Sequence, residues 1–443
     1  MMNRDYLIKP LLGQHYPMIS HGKGVYLFDK EGKRYIDGSS GAITVGIGHG
    51  VDEIIDVMTE QARQVSFVYR SQFTSEAAEK LAKKISDITQ GDLNWTFFVN
   101  SGTEATETAM KLAIQHFQEK GIKGKNKILS RWMSYHGITI GALSMSGHPL
   151  RRQRFVHMLE DYPSVSPPYC YRCPLNLAFP SCDTACASEL ETAINRIGSE
   201  HIAAFIAEPI IGAAGGAIVP PHGYYQRVKE ICEKNDILFI ADEVMTGIGR
   251  TGKMFAMEHW GVQPDIVTLG KGMTSGYTPM AATIASDRVI EPIMKGSKLV
   301  MSGHTFSANP LSAAVSLAVI EYVEKHNLVK AAEEKGDYLK KKLETLKANS
   351  TIIGDVRGKG LLIGIELEDN VKSSSLIQNA SNKGLLLYPS VAGRNGKEDS
   401  AFMIAPPLTI SYEEIDELLQ ILSESLYELE AKQSGLTYAA KGE

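Results

Sequence analysis

Six apolar runs of strand length punctuate the middle of this chain: Trp95–Val99, Ile128–Ser130, Ile202–Ala207, Ile237–Ala241, Ile266–Leu269 and Met280–Ile284. Helix-like segments separate them, and glycine, proline or those helices bound them. A strand that is apolar along its whole length has no face to give to water. It belongs in a sheet covered on both sides, and the intervening helices supply the cover. The pattern therefore predicts an α/β fold with a largely parallel sheet.

The flanks read differently. Gly22 to Asp37 alternates apolar and polar residues around Asp29-Lys30-Glu31-Gly32, the pattern of an antiparallel hairpin. A glycine-rich passage from Gly38 to Gly50 follows, and then helical spacing over Val51–Gln64 and Ser75–Ile88. Beyond the last apolar run, Leu311–Lys325 and Leu328–Lys347 have helical spacing, while Gly360–Glu366 and Leu385–Leu387 look like strands. This mixture suits a smaller α+β lobe. No repeat or low-complexity linker separates it from the rest, so the lobes are expected to pack together.

At 443 residues, with 43% hydrophobic and 22% charged residues, the chain is built like an enzyme of two or three domains. Its 51 acidic residues outnumber 46 basic ones, a net charge of −5, which leaves no electrostatic footprint for nucleic acid or an anionic membrane. Met1 to Pro10 has no apolar core of a signal peptide, and no apolar run is long enough to cross a bilayer. A cytoplasmic enzyme is expected. Four of the five cysteines crowd together as Cys170-x2-Cys173 and Cys182-x3-Cys186, with Cys232 apart. Zinc would accept such spacing. Reduced thiols in a proline-rich insertion are the plainer reading, and no metal is expected.

Chemistry gathers at the ends of the apolar runs. Lys271 follows Ile266–Leu269 between Gly270 and Gly272, where flanking glycines let a bulky group approach the backbone. Desolvation there would lower the pKa of its amine and free it for imine formation. Asp242 closes the next run, at the strand end where open α/β sheets bind ligands, and could pair with a protonated pyridine nitrogen. A helix cap would use the same residue. Asn100-Ser101-Gly102-Thr103-Glu104-Ala105 joins a strand to a helix expected over Ala105–Gln118. It reads either as an anion site or as a plain capping box. Tyr135, in Tyr135-His136-Gly137, could stack on one face of a flat cofactor with Val244 on the other, or could simply pack in the core. In Gly303-His304-Thr305-Phe306 the hydroxyl of Thr305 could reach a phosphate.

Taken together, Ser101-Gly102-Thr103-Glu104-Ala105, Tyr135-His136-Gly137, Glu208-Pro209, Asp242-Glu243-Val244, Gly249-Arg250-Thr251-Gly252, Gly270-Lys271-Gly272 and His304-Thr305-Phe306 resemble the class III aminotransferases in order and spacing. The resemblance runs from about Gly22 into the C-terminal region. It implies fold type I of the pyridoxal-phosphate enzymes, with a seven-stranded, mostly parallel sheet in a large domain at 66–315. A small domain would be assembled from both ends, 1–65 and 316–443.

The same resemblance implies pyridoxal 5'-phosphate as cofactor, with Lys271 as the Schiff-base residue and proton shuttle. Asp242 would hold the pyridine nitrogen, and Tyr135 and Val244 would flank the ring, with His136 among the cofactor-binding residues. Ser101, Gly102 and Thr103 would bind the phosphate. Thr305 would reach the phosphate of a neighbouring subunit, which implies a homodimer. Glu208 would orient the Asp242 region, or serve only as a structural carboxylate. An amine donor and a 2-oxo acid acceptor would react in turn, with ping-pong kinetics.

Three positions depart from the members that use 2-oxoglutarate. Met403 stands before Pro406-Pro407 where they carry arginine, Ala213 where they carry glutamate, and Met245 where they carry glutamine. The chain here resembles the branch that pairs ω-amines with pyruvate, and Arg394 is the candidate for that branch's carboxylate-binding arginine. A racemase or aminomutase would keep Lys271, Asp242 and the phosphate site but need no external acceptor. A cofactor-binding regulator would need a further domain for which no length remains.

Overall fold

The computed structural model describes residues 6–433. Its central sheet has seven strands, in the order Trp95–Val99, Ala281–Ala285, Ile266–Leu269, Leu238–Asp242, Ile202–Ala207, Lys127–Arg131 and Pro163–Val165. Ala281–Ala285 runs antiparallel to both of its neighbours, and the other contacts between strands are parallel.

The apolar runs form the centre of this sheet because each of their faces meets a separate core. Phe205, Ala207, Phe239, Ala241, Val267 and Leu269 pack on one side with Leu190 and Val228, from the helices Ala185–Ile197 and Tyr224–Lys234. The alternate residues Ala204, Ile206, Leu238, Ile240 and Ile266 pack on the other side with Ala109, Leu112 and Phe117 of the helix Gly102–Glu119. Strand side chains alternate between faces, so one continuous apolar run feeds both layers.

The smaller lobe has a four-stranded antiparallel sheet ordered Ile353–Lys359, Leu362–Leu367, Glu398–Ile404 and Tyr388–Ala392. The helices Leu328–Ala348, Ser373–Asn382 and Tyr412–Gln433 accompany it. The expected N-terminal hairpin is a three-stranded ribbon, Ile19–Lys23, Tyr26–Asp29 and Arg34–Ile36. It joins the far end of the chain by a parallel bridge between Ile36 and Leu385, with Ile36 N donating to Gly384 O at 2.8 Å and Leu386 N donating to Ile36 O at 3.0 Å.

Several boundaries move from expectation. The strand expected at Leu385–Leu387 begins at Tyr388; Leu385 and Leu387 are apolar because they are buried beside the ribbon. Pro163–Val165 is a three-residue edge strand opening on proline, too short and too polar to announce itself. The helix expected from Ala105 starts at Gly102, because Ser101 caps it: its Oγ accepts from Glu104 N at 3.3 Å. Among the described residues, no helix is long and apolar enough to cross a membrane.

Candidate active site

Parallel strands point their carboxyl ends the same way, so the residues that follow them collect along one edge of the sheet. There a cavity of about 180 Å³ is lined by Gly102, Thr103, Tyr135, His136, Gly137, Glu208, Asp242, Val244, Met245 and Lys271. Motifs separated by as many as 169 residues in sequence thus share one small space.

Lys271 follows the strand Ile266–Leu269 and opens a single 3-10 turn, Lys271–Met273, with φ at +42°. The residue is half-buried, and desolvation of its amine pulls the pKa down to about 8, against the opposing pull of the Glu208 and Asp242 carboxylates. About a tenth of the amine is therefore neutral and nucleophilic at pH 7, far more than for an ordinary lysine.

Asp242, the last residue of its strand, is 4% exposed. Oδ1 accepts from Thr268 Oγ1 at 2.9 Å and from Val244 N at 3.2 Å, and Oδ2 lies 2.7 Å from His136 Nδ1. His136 is itself held, its amide donating to Ser146 Oγ at 2.7 Å and its carbonyl accepting from Thr106 Oγ1 at 2.6 Å. The carboxylate is fixed in place from three sides.

Glu208 is buried, and burial raises its pKa. Oε1 accepts from Tyr135 N at 2.9 Å and Oε2 from Gly212 N at 3.0 Å, so one carboxylate ties two loops at the cavity wall. Arg131 supports it from behind: Nη2 donates to Glu208 O at 2.6 Å and Nη1 to Tyr225 OH at 3.2 Å.

At the other end, the Gly102–Glu119 helix begins at the cavity. The amides of Gly102 and Thr103 lie in its first turn, which no helix carbonyl can reach, and the helix dipole favours an anion there. Space is tight: a Cβ on Gly102 would sit 2.7 Å from Val244 Cγ1, and one on Gly137, at φ +137°, would sit 2.3 Å from Thr103 Oγ1. Val244 and Tyr135 also line the cavity. A half-buried lysine, a fixed buried carboxylate, a helix N-terminus and a slot narrowed by Val244 fit a flat heteroaromatic ring that carries a carbonyl, a basic nitrogen and a phosphate.

Not every candidate gathers there. Ser101 is exposed at the helix cap. Thr305 is exposed in a separate loop, where His304 Nδ1 stands 3.7 Å from Glu104 Oε1. Arg394 lines a different cavity with Trp132, Met133, Pro149 and Lys397, and its guanidinium is hydrogen-bonded to the side chain of Asn176. Met403 is 0% exposed within its strand, paired with Gly364 and Tyr388, and Ala213 is buried with its carbonyl accepting from Ser390 Oγ at 2.7 Å. Neither residue lines the cavity. Arg131, Thr268 and Ser146 carry no signal in the sequence, since their partners come from elsewhere in the fold. Among the described residues no group of three His, Cys, Asp or Glu is placed to hold a metal.

The model of the family described as Aminotransferase class-III matches residues 12–426. The uncharacterized aminotransferase YodT of Bacillus subtilis is 54% identical over 437 residues, covering 96% of this chain and 98% of its own. The putrescine–pyruvate aminotransferase of Pseudomonas aeruginosa is 34% identical, covering 92% of this chain and 90% of its own. Among solved structures, a transaminase from the marine bacterium Virgibacillus superposes with a TM-score of 0.90 at 34% identity, over 97% of this chain and 98% of that one.

Proposed function

The chain belongs to the class III aminotransferases, pyridoxal-phosphate enzymes of fold type I, and from that premise we propose that it moves an amino group from an ω-amine or amino acid to a 2-oxo acid, pyruvate before 2-oxoglutarate. The observation that carries the reading is Lys271 facing Asp242 across one small cavity at the end of adjacent strands.

Lys271 would hold the cofactor through its Nζ, and after release would carry a proton between the substrate Cα and the cofactor. Asp242, steadied by His136 and Thr268, would hold the proton of the pyridine nitrogen in place. Tyr135 and Val244 would flank the ring, and Ser101, Gly102 and Thr103 would receive the phosphate. When bound, the cofactor supplies an electron sink that acidifies the substrate Cα–H. Glu208 would set the position of Tyr135 through its backbone amide. Donor and acceptor would use the same site in turn, in a ping-pong sequence.

Thr305 would act on the site of a second copy, since it is exposed and absent from the lining of its own cavity. A homodimer follows from that role. Exposed Phe67 and Phe306, in edge contact at 5.9 Å, give the same region an apolar surface suited to burial.

Pyruvate preference rests on a cavity lining that holds no arginine to pair a second carboxylate, and on the likeness to a putrescine–pyruvate aminotransferase. An unpaired buried charge costs several kcal/mol. Incubation with putrescine and other ω-amines, with pyruvate and 2-oxoglutarate in parallel, should yield alanine with kcat/KM for pyruvate about tenfold or more above that for 2-oxoglutarate. Absence of either amino acid product would turn the assignment toward a racemase or aminomutase. Equal turnover of the two acceptors would remove the pyruvate preference alone.

A further inference from the structure

The cavity around Lys271 has a charge problem for any oxo acid. Its lining holds two carboxylates, Glu208 and Asp242, against a single cation, Lys271, which the chemistry itself engages, and no arginine. A substrate carboxylate entering this space needs a cation at the rim, or it meets repulsion from both.

Arg151 is placed to supply it. It sits on the short helix Pro149–Arg152, exposed, with its guanidinium carbon 4.7 Å from the centroid of the Tyr135 ring. No carboxylate or hydrogen-bond acceptor of the described residues meets that guanidinium. The next residue anchors the helix: Arg152 is buried, its Nη1 donating to the carbonyls of Leu143, Ser144 and Ser146 at 2.8, 2.9 and 2.9 Å. One arginine fixes the backbone, leaving its neighbour free over Tyr135. The charge of Arg151 reaches three groups around the cavity, Tyr135, Lys271 and Tyr388, and disfavours the protonated amine of Lys271. Such influence extends over about 10 Å at moderate ionic strength. Arg394, by contrast, is engaged with Asn176 in its own cavity.

We propose that Arg151 is the residue that receives the substrate carboxylate, held over Tyr135 so that its in-plane N–H donors are open to a bidentate pair. An arginine above an aromatic face keeps its ring contact while those donors point sideways, a geometry a lysine does not reproduce. The site thus selects monocarboxylate oxo acids through a cation outside the cavity, on the side of Tyr135.

The inference rests on the amino-transfer reading, and the test separates the two. Holoenzyme in its aminated form is mixed with pyruvate or with propanal, which has the same chain length and no carboxylate, and single-turnover kcat/KM is read from cofactor absorbance. Arg151→Gln should lose about thirtyfold or more with pyruvate and less than about threefold with propanal, and Arg151→Lys should recover part of the loss. The loss with pyruvate should exceed that of Arg394→Gln by about tenfold. Propionate, which cannot react, should bind the Arg151→Gln holoenzyme about tenfold more weakly by calorimetry. Equal losses with pyruvate and propanal would reduce Arg151 to a support for Tyr135 and overturn the proposal. So would a selective pyruvate loss in Arg394→Gln. If wild type turned over neither acceptor, the amino-transfer reading would fall, while propionate affinity would still decide the role of Arg151.

Discussion

His136 Nδ1 lies 2.7 Å from Asp242 Oδ2, with both side chains buried. A ring nitrogen facing a carboxylate at this distance carries the proton and donates it, which fixes the tautomer of His136. With Thr268 on the other oxygen, Asp242 is held where a ring nitrogen would meet it. Asp242→Asn keeps the shape and removes the charge. It should lower kcat by about a thousandfold or more, because the lost interaction strengthens as charge develops in the transition state. Rates within about tenfold of wild type, at matched cofactor occupancy, would contradict the role.

Lys271 is expected to be the sole lysine fixed to the cofactor by borohydride. Peptide mapping after reduction should place the label there, and Lys271→Ala should bind pyridoxal phosphate loosely without a reducible link. A label on any other lysine would refute the assignment.

The depressed pKa of Lys271 has a stability consequence in apoprotein. An unfolded chain keeps this proton up to about pH 10.5, whereas the folded chain gives it up near about 8. Between these values the unfolded state binds more protons, so stability rises with pH. Replacing the amine by Lys271→Met removes this dependence. The variant should be more stable than wild-type apoprotein at pH 7, and the gap should shrink by about 3 kcal/mol by pH 10.5, read from urea unfolding.

Gly102→Ala should damage the site without unfolding the protein. Its new Cβ would press on Val244 Cγ1, displacing a side chain of the cavity wall. Cofactor affinity should fall about tenfold with the melting temperature of apoprotein nearly unchanged. Val244→Ala in the same chain should restore part of it, and no restoration would mean that Gly102 is needed for its backbone alone.

Purified protein is expected to lack stoichiometric zinc. Zinc takes thiolates, and burial pushes the Cys186 thiol up to about 12, with Cys170, Cys182 and Cys173 adding to the rise. Elemental analysis showing one zinc per chain would reverse this expectation.

The central strands were legible because burial on two faces demands apolar residues throughout, and Ile202–Ala207 obeys that along its whole length. Lys271 and Asp242 were legible for a related reason: both end such runs, so topology alone brings them to one edge. Arg151 was not. An arginine in Leu150-Arg151-Arg152 reads as solvated, and only the carbonyl cage around Arg152 shows which way its neighbour is held. Arg394 shows the converse. Resemblance alone singled it out, and its place in another cavity, hydrogen-bonded to Asn176 from far back in the chain, had no signal in the sequence.

The bridge between Ile36 and Leu385 also sets a clock for synthesis. A ribosome adding about 5 to 20 residues per second emits Leu385 roughly 20 to 70 s after Ile36. Throughout that interval the Arg34–Ile36 edge has emerged without the segment that covers it. Unpaired strand edges are templates for wrong pairing, so the newborn N-terminal ribbon must wait, guarded or idle, for a segment 349 residues further along its own chain.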